Sequence, residues 1–396
     1  MYLTKEEESI LNGENGLATA KLLELLVVLG DIFEAERLVP VESAHISGVS
    51  YKNLGEAGLD WLEEQEKLGA RSKIKATLNP AGMDLEAWRE MGVPEEFAIG
   101  QMRVIKSFIR MGVQPTCTCT PYLVNHIPKF GSQVAWAESS AVCFVNSVLG
   151  ARTNRESGPT TLASAVTGLA ALYGYRIDEN RRPGIVVEVE AVLSSILDYS
   201  ALGYCIGKKI GMTIPFLIGL KRPSFDSMKA LGASCATSGG IALWHGDGVT
   251  PEAENMKKYL GGLERISIIQ EDLEEERTRL TSPLDNPITV LGCPHSSLDE
   301  LREIARLVYG KNMDGKLWIF TSREVYKNAE KAGYVKTILE AGGKIYRDTC
   351  MVVAPLKEMG WENVATNSFK AAHYMLSMGM RTRLGTIKEL LGENQR

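Results

Sequence analysis

Along the chain, short apolar runs alternate with stretches whose apolar residues recur at three- and four-residue spacing, and the alternation is clearest in the last third. "NPITVLGCPHSSLDELREIARLV" reads as a buried strand ending at Leu291, a short loop, and a helix opened by a Ser297–Glu300 capping box. "GKLWIFTSREVYKNAEKAG" repeats the plan with a Thr321–Glu324 box, "GGKIYRDTCMVVAPLKEMG" begins another strand, and "ENVATNSFKAAHYML" closes the series with Asn367 as a helix cap. Strands alternating with helices at this spacing predict a parallel sheet.

Upstream, "SKIKATLNPAGMD" holds a strand ending at Asn79, "PGIVVEVEAVL" and "GMTIPFLIGL" read as further strands, and "TTLASAVTGLAALYG" as an apolar helix rich in small residues. These form a second α/β body, itself divided. The acidic run from Gln270 to Pro287 has no apolar stripe and reads as a solvated helix followed by a linker. The expected division is residues 1–284, two interleaved α/β domains, and 285–396, an α/β domain with a parallel sheet.

Composition narrows the chemistry. With 396 residues, 44% hydrophobic and 23% charged, the chain has core enough for roughly two or three domains. Its net charge of -5 and the lack of a basic stripe argue against nucleic acid as the main partner. The charged start "MYLTKEEES" reads as a helix capped by Thr4 and Glu7 rather than a secretory leader. Its longest apolar runs are about half the roughly 20 residues that cross a bilayer, so no membrane span is expected. Seven cysteines, an odd number in an apparently cytoplasmic chain, leave metal binding, catalysis or burial as their uses.

Two of the seven, Cys117 and Cys119, stand one residue apart in "QPTCTCTPY". That spacing suits a metal clip, a redox pair or two thiols in an irregular strand, and does not choose among them. Cys293 and Cys350 each follow a strand, which puts both near the carboxyl ends of a parallel sheet, where α/β proteins bind ligands. "WAESSAVCFVNSVLGARTNRESGPTT" offers Ser139, Ser140, Asn146, Arg152, Asn154 and Arg155 after Glu138. Its arginines and asparagines can hold a carboxylate or phosphate, or they can simply decorate a helix C-terminus. Asn79, at a strand end, is a candidate substrate contact. The glycines of "TSGGIALWHGDG" could cradle a phosphate but more often make turns.

"CTCTPYL", "AESSAVCFVNSVLGARTNRESG", "AHISGVSYKNLGEAGLDWL", "TLNPAGMDL", "LGCPHSSLDEL" and "DTCMVVAPL" together resemble the large subunit of the aconitase X family over essentially the whole chain. The resemblance implies an aconitase-like α/β fold of three domains with mixed and parallel sheets, lacking the swivelling fourth domain that a separate small subunit supplies. It implies a hydro-lyase acting on a hydroxy acid as a heterodimer. It assigns Cys119, Cys293 and Cys350 to a [4Fe-4S] cluster with one iron lacking a protein ligand, and makes Cys117 a bystander. Cys143, Cys205 and Cys235 are expected to be buried and inert. His45 is a candidate to assist protonation of the leaving hydroxyl, His295 is expected beside the cluster in a structural role, and the proton-abstracting serine is expected on the small subunit.

The family embraces enzymes that dehydrate cis-3-hydroxy-L-proline and others that dehydrate (R)-5-phosphomevalonate to trans-anhydromevalonate 5-phosphate on an alternative mevalonate route to isoprenoids. The Lys and Glu bias of "EEQEKLGARSKIK" and "EDLEEERTRL" suits a thermophilic protein and leans toward phosphomevalonate, with Arg152 and Arg155 as first candidates for an anionic end. A reading of another class is an iron-sensing RNA binder or redox sensor; the acidic balance opposes RNA binding.

Overall fold

The computed structural model describes residues 1–392. Ile288–Leu291, Leu317–Thr321, Lys344–Arg347, Asn363–Thr366 and Arg381–Leu384 form a five-stranded parallel sheet in the order third, second, first, fourth, fifth. The first strand is therefore central, with Val290 opposite Trp318 on one side and Thr366 on the other. A parallel strand covered on both faces needs a continuous apolar run, which "ITVL" supplies.

The Leu298–Val308 helix opens with the reciprocal Ser297–Glu300 box. Two other caps fall one residue later than the pattern predicts. Ser322 caps Arg323–Lys331, because Thr321 is still paired in its strand and its hydroxyl donates to Ser296 O at 2.7 Å. Ser368 caps Phe369–Ser377 by accepting from Ala371 N, so Asn367 is left in the turn between strand and helix.

A four-stranded parallel sheet joins His245–Gly246, Pro215–Ile218, Ile185–Val189 and Arg265–Ile268. Its helices Ile196–Ile210 and Phe225–Gly239 pack backbone to backbone: a Cβ at Gly203 would stand 2.2 Å from Leu231 O. In the N-terminal part, Ser43–Ile46 is the middle of a parallel trio with Lys75–Leu78 and Ala135–Trp136. The run "TTLASAVTGLAALYG" is only partly helical. Its helix stops at Thr167, Gly168 turns the chain at φ 76°, and Leu169–Ala171 pairs antiparallel with Leu38–Pro40. The acidic run forms the Gln270–Arg279 helix, which buries only Leu273.

Shared cores hold the three sheets together. Met83, Met91 and Ala98 pack with Val290, Phe320 and Met351, while Phe369, Ala372 and Leu384 join the core of the four-stranded unit. The five-stranded sheet thus abuts both other bodies, and its strand ends open onto the seam. Among the described residues, no helix is long and apolar enough to cross a membrane.

Candidate active site

The opening C-x-C resolves into two unlike thiols. Gln114 N donates to Ala76 O and Thr118 N to Leu78 O, so this segment runs beside the Lys75–Leu78 strand. At Cys117 the backbone turns to φ 44°, which breaks the alternation that would put both cysteines on one face. Cys117 packs in the N-terminal core, with the Asp348 carboxylate nearby. Cys119 instead meets the loop after Leu291, its Sγ accepting from His295 N at 3.2 Å.

Cys293 and Cys350 arrive from the loops that follow two strands of the five-stranded sheet. Cys119, Cys293 and Cys350 are all buried. Burial pushes the Cys293 and Cys350 thiols up to about 12, with Cys119 adding to the first and Cys293 to the second. Burial likewise raises Cys119, helped by Glu138 and Cys350, so each thiol feels another of the three.

Among the described residues, no three His, Cys, Asp or Glu side chains close on a single metal ion. One ion would require sulfurs at about 2.3 Å from a common centre. Thiolates that each bind a different iron of a cluster stand farther apart, and an all-sulfur donor set is the one such clusters use. Buried polar atoms without partners surround these thiols: the Tyr122 hydroxyl beside Cys119, and Thr349 Oγ1 next in sequence to Cys350. Donor chemistry and orphaned atoms both fit an iron-sulfur cluster.

His295 ties the three thiol loops together. It belongs to the Cys293 loop, its Nδ1 bonds Thr118 Oγ1 at 2.9 Å beside Cys119, and its Nε2 bonds Thr349 O at 2.8 Å beside Cys350. A backbone carbonyl only accepts, so Nε2 carries the proton and Nδ1 accepts from the threonine. Burial lowers its pKa to about 4, which keeps the ring neutral and suited to this role.

A buried ion pair stands over the thiols. Lys370, in the first turn of Phe369–Ser377, donates to Glu138 Oε1 at 2.7 Å and to Ser140 Oγ at 3.0 Å. Glu138 Oε2 accepts from Ser140 Oγ and from Ala141 N, each at 2.6 Å, because Glu138 caps the Ser139–Ser147 helix. Burial works to raise the Glu138 pKa, but Lys370 and these donors outweigh it and hold the carboxyl below its ordinary value. Burial works to lower the Lys370 pKa, and Glu138, then Cys293 and Cys119, raise it overall. The two charges act unequally on the thiols: Lys370 is the stronger influence at Cys293 and favours its thiolate, whereas at Cys119 Glu138 outweighs it.

His45 is buried at the centre of its sheet, and Glu138 acts electrostatically on it as on Cys119. Its Nδ1 meets Thr77 Oγ1 at 2.8 Å, and the same hydroxyl meets His126 Nδ1 at 2.9 Å. His45 Nε2 and Asn79 Oδ1 are both buried, and the Thr118 backbone and the Asn79 side chain are the polar groups that act on the His45 ring. Burial lowers His45 to about 4, so its imidazole is neutral near pH 7.

The other candidates lie apart. Asn146 is taken up by Thr153 O, Ala242 O and Thr153 N, and Asn154 by Tyr173 O and Tyr175 N. Arg152 closes on Asp178 at 2.7 Å and Glu252 at 3.5 Å, while Arg155 donates to Gly240 O. Ser139 is a half-buried first residue of its helix. Cys143, Cys205 and Cys235 pack in the four-stranded unit's core, and the glycines around Gly240 close a helix and a turn. Reasoning from sequence missed Lys370, Thr77, Thr118 and Tyr122. The last two stood inside "CTCTPYL" and Thr77 opens "TLNPAGMDL", but Lys370 gave no local signal.

Parallel sheets whose strand ends deliver three thiols to one polar seam are the plan of an aconitase-like α/β protein. Family models for the first, second and third domains of aconitase X match residues 1–179, 183–278 and 287–395, and the chain belongs to the aconitase X family. It is 46% identical to a phosphomevalonate dehydratase large subunit of Methanocaldococcus jannaschii, over 99% of each chain. It is 36% identical to a cis-3-hydroxy-L-proline dehydratase of Pseudomonas aeruginosa, over 93% of this chain and 65% of that protein. The crystal structure of Thermococcus kodakaraensis aconitase X in its holo-form superposes with a TM-score of 0.94 at 43% identity, covering 100% of both chains.

Proposed function

We propose that the chain is the large subunit of a hydro-lyase that removes water from (R)-5-phosphomevalonate to give trans-anhydromevalonate 5-phosphate, serving isoprenoid synthesis by an alternative mevalonate route. One observation carries the choice of substrate: full-length identity of 46% to a phosphomevalonate dehydratase large subunit, against 36% to a hydroxyproline enzyme.

Cys119, Cys293 and Cys350 would hold a [4Fe-4S] cluster. With three thiolates bound, that group supplies one iron free of protein ligands, a Lewis acid for a substrate hydroxyl. Around it the chain's own residues bind and orient. Lys370 offsets the negative charge of the thiolates, and Glu138 fixes Lys370. Asn79 and His45 would offer buried polar atoms to the substrate. When the Thr77 proton points at His45 Nδ1, the neutral imidazole keeps its proton on Nε2 and can donate it toward the leaving oxygen.

The base that takes the carbon-bound proton is assigned to a serine of a small subunit carrying the swivelling domain. All seven cysteines are unpaired, which supports a reducing, cytoplasmic setting. The test is anaerobic reconstitution with iron, sulfide and the small subunit, followed by assay of water loss from phosphomevalonate and from cis-3-hydroxy-L-proline. Turnover of the first is expected. Preference for the second, or turnover of neither by fully loaded enzyme, overturns the reading.

A further inference from the structure

We propose that the cleft between the carboxyl ends of the two larger parallel sheets is the subsite for a phosphate monoester, held by Lys221, Arg222 and Lys388 and contacted by Asn367. This rests on the proposed function and gives the substrate's phosphate a place in the chain.

The cleft has a volume of ≈ 800 Å³, within the roughly 300–1,000 Å³ of small-ligand sites. Its walls are segments that follow four parallel strands: after Val189, after Ile218, after Thr366 and after Leu384. Strand carboxyl ends are where parallel sheets bind ligands, and here two sheets contribute them to one opening. Lys221, Arg222 and Lys388 line it, and none forms an ion pair among the described residues. Glu303 and Glu389 also reach the cleft, but Glu389 is held by Arg277 at 2.7 Å and by Thr386 N at 2.6 Å, so positive charge prevails.

The 15-residue helices Ile196–Ile210 and Phe225–Gly239 both begin at this wall, adding the partial positive charge of their N-terminal ends. Helix starts alone would not specify a ligand. Asn367 adds a directional group: the residue is only 8% exposed, lies on the wall, and its amide has no protein partner among the described residues, so it is free to meet a ligand in the cleft. Asn367 and Ile196 also line the small chamber that contains Cys293, so the cleft adjoins the thiol pocket at these two residues. Arg155, by contrast, binds Gly240 O at the far end of the Phe225–Gly239 helix, about 22 Å from the cleft at 1.5 Å per residue.

Inorganic phosphate titrated into the full chain and followed by ³¹P NMR tests the subsite directly. Steady-state turnover of phosphomevalonate by the chain with its small subunit tests its use. The wild type is expected to bind phosphate. Lys221→Glu with Lys388→Glu should weaken that binding and lower kcat/KM for phosphomevalonate, each at least about tenfold. Failure of the wild type to bind phosphate, equal binding by the doubly reversed variant, or an unchanged kcat/KM in it overturns the subsite. If the wild type does not turn over phosphomevalonate yet binds phosphate in a way the double variant abolishes, the proposed function falls and the anion subsite stands.

Discussion

Lys370→Met isolates the electrostatics of the thiol pocket, because methionine nearly matches lysine in length and leaves little void. In the wild type the Lys370 and Glu138 side chains are each 7% exposed and 2.7 Å apart. Removing one partner of such a pair leaves a buried charge and costs about 3–5 kcal/mol. An independent limit comes from protonation. Without Lys370, burial raises the Glu138 pKa, and the carboxylate can escape its isolation by binding a proton. Starting from an unfolded value of about 4.3, that costs about 1.4 kcal/mol per pH unit, or about 3.7 kcal/mol at pH 7.

The two arguments agree, and the second fixes a sign. Glu138 in the variant has a folded pKa above its unfolded one, so stability is full below about pH 4.3 and is lost as pH rises toward the folded value. In the wild type its folded pKa is lowered, and the pair's contribution persists above the unfolded value. The gap between the two proteins should therefore widen by up to about 1.4 kcal/mol per unit from pH 4.3 to 7. Urea unfolding of the reduced, metal-free chains measures it, and adding Glu138→Gln to Lys370→Met should recover most of the loss. A cost under about 1 kcal/mol at pH 7, or a gap that does not change with pH, would refute the ion-pair reasoning.

Four shorter predictions follow from neighbouring contacts. His295→Leu unpairs Thr349 O and removes one partner of Thr118 Oγ1, which keeps its bonds to Thr120, so it should cost about 1–3 kcal/mol and depress iron-sulfur absorbance on reconstitution; full absorbance would show that the loops need no tie. Cys350→Ser should abolish that absorbance while Cys117→Ser preserves it, and the reverse result would exchange their roles. Thr77→Val strands two buried imidazole nitrogens and should cost about 2–5 kcal/mol, with Thr77→Ser close to wild type in thermal melts; equal losses would mean that shape, not the hydroxyl, matters. At Asp84 burial pushes the pKa up, but the N–H groups of Ala87, Arg347 and Glu86 and the Arg347 charge hold it below its ordinary value. Its stabilisation is present above about pH 3.9 and lost as pH falls through the folded value, so Asp84→Asn should flatten the acid limb of a stability profile, and an unchanged limb would contradict this.

The elements of the fold were legible because they depend on neighbours in sequence. "ITVL" reads as a covered parallel strand wherever it lies, and the Ser297–Glu300 box forms as written. The caps were misplaced by one residue, at Thr321, where the strand runs on into the capping position, and at Asn367, which falls in the turn, and the helix read over "TTLASAVTGLAALYG" stops early at Gly168 and gives way to a strand. Site residues are a different case. Asn146, Arg152 and Asn154 stood out by local composition, yet Asn146 and Thr153 mostly satisfy each other seven residues apart, bracing the loop that made them conspicuous. Lys370 looked like any solvated lysine on an amphipathic helix, because its partner Glu138 lies 232 residues away. His295 gains its role from bonds across 177 and 54 residues. No window of sequence contains such pairs; topology does. The rule that reached across the chain was that parallel strands present ligands at their carboxyl ends, and it located Cys293 and Cys350 from pattern alone. Applied as strictly to the four-stranded sheet, it would have marked "GLKRPS" after Ile218, a stretch that reads locally as a plain turn, where Lys221 and Arg222 line the cleft between the two sheets.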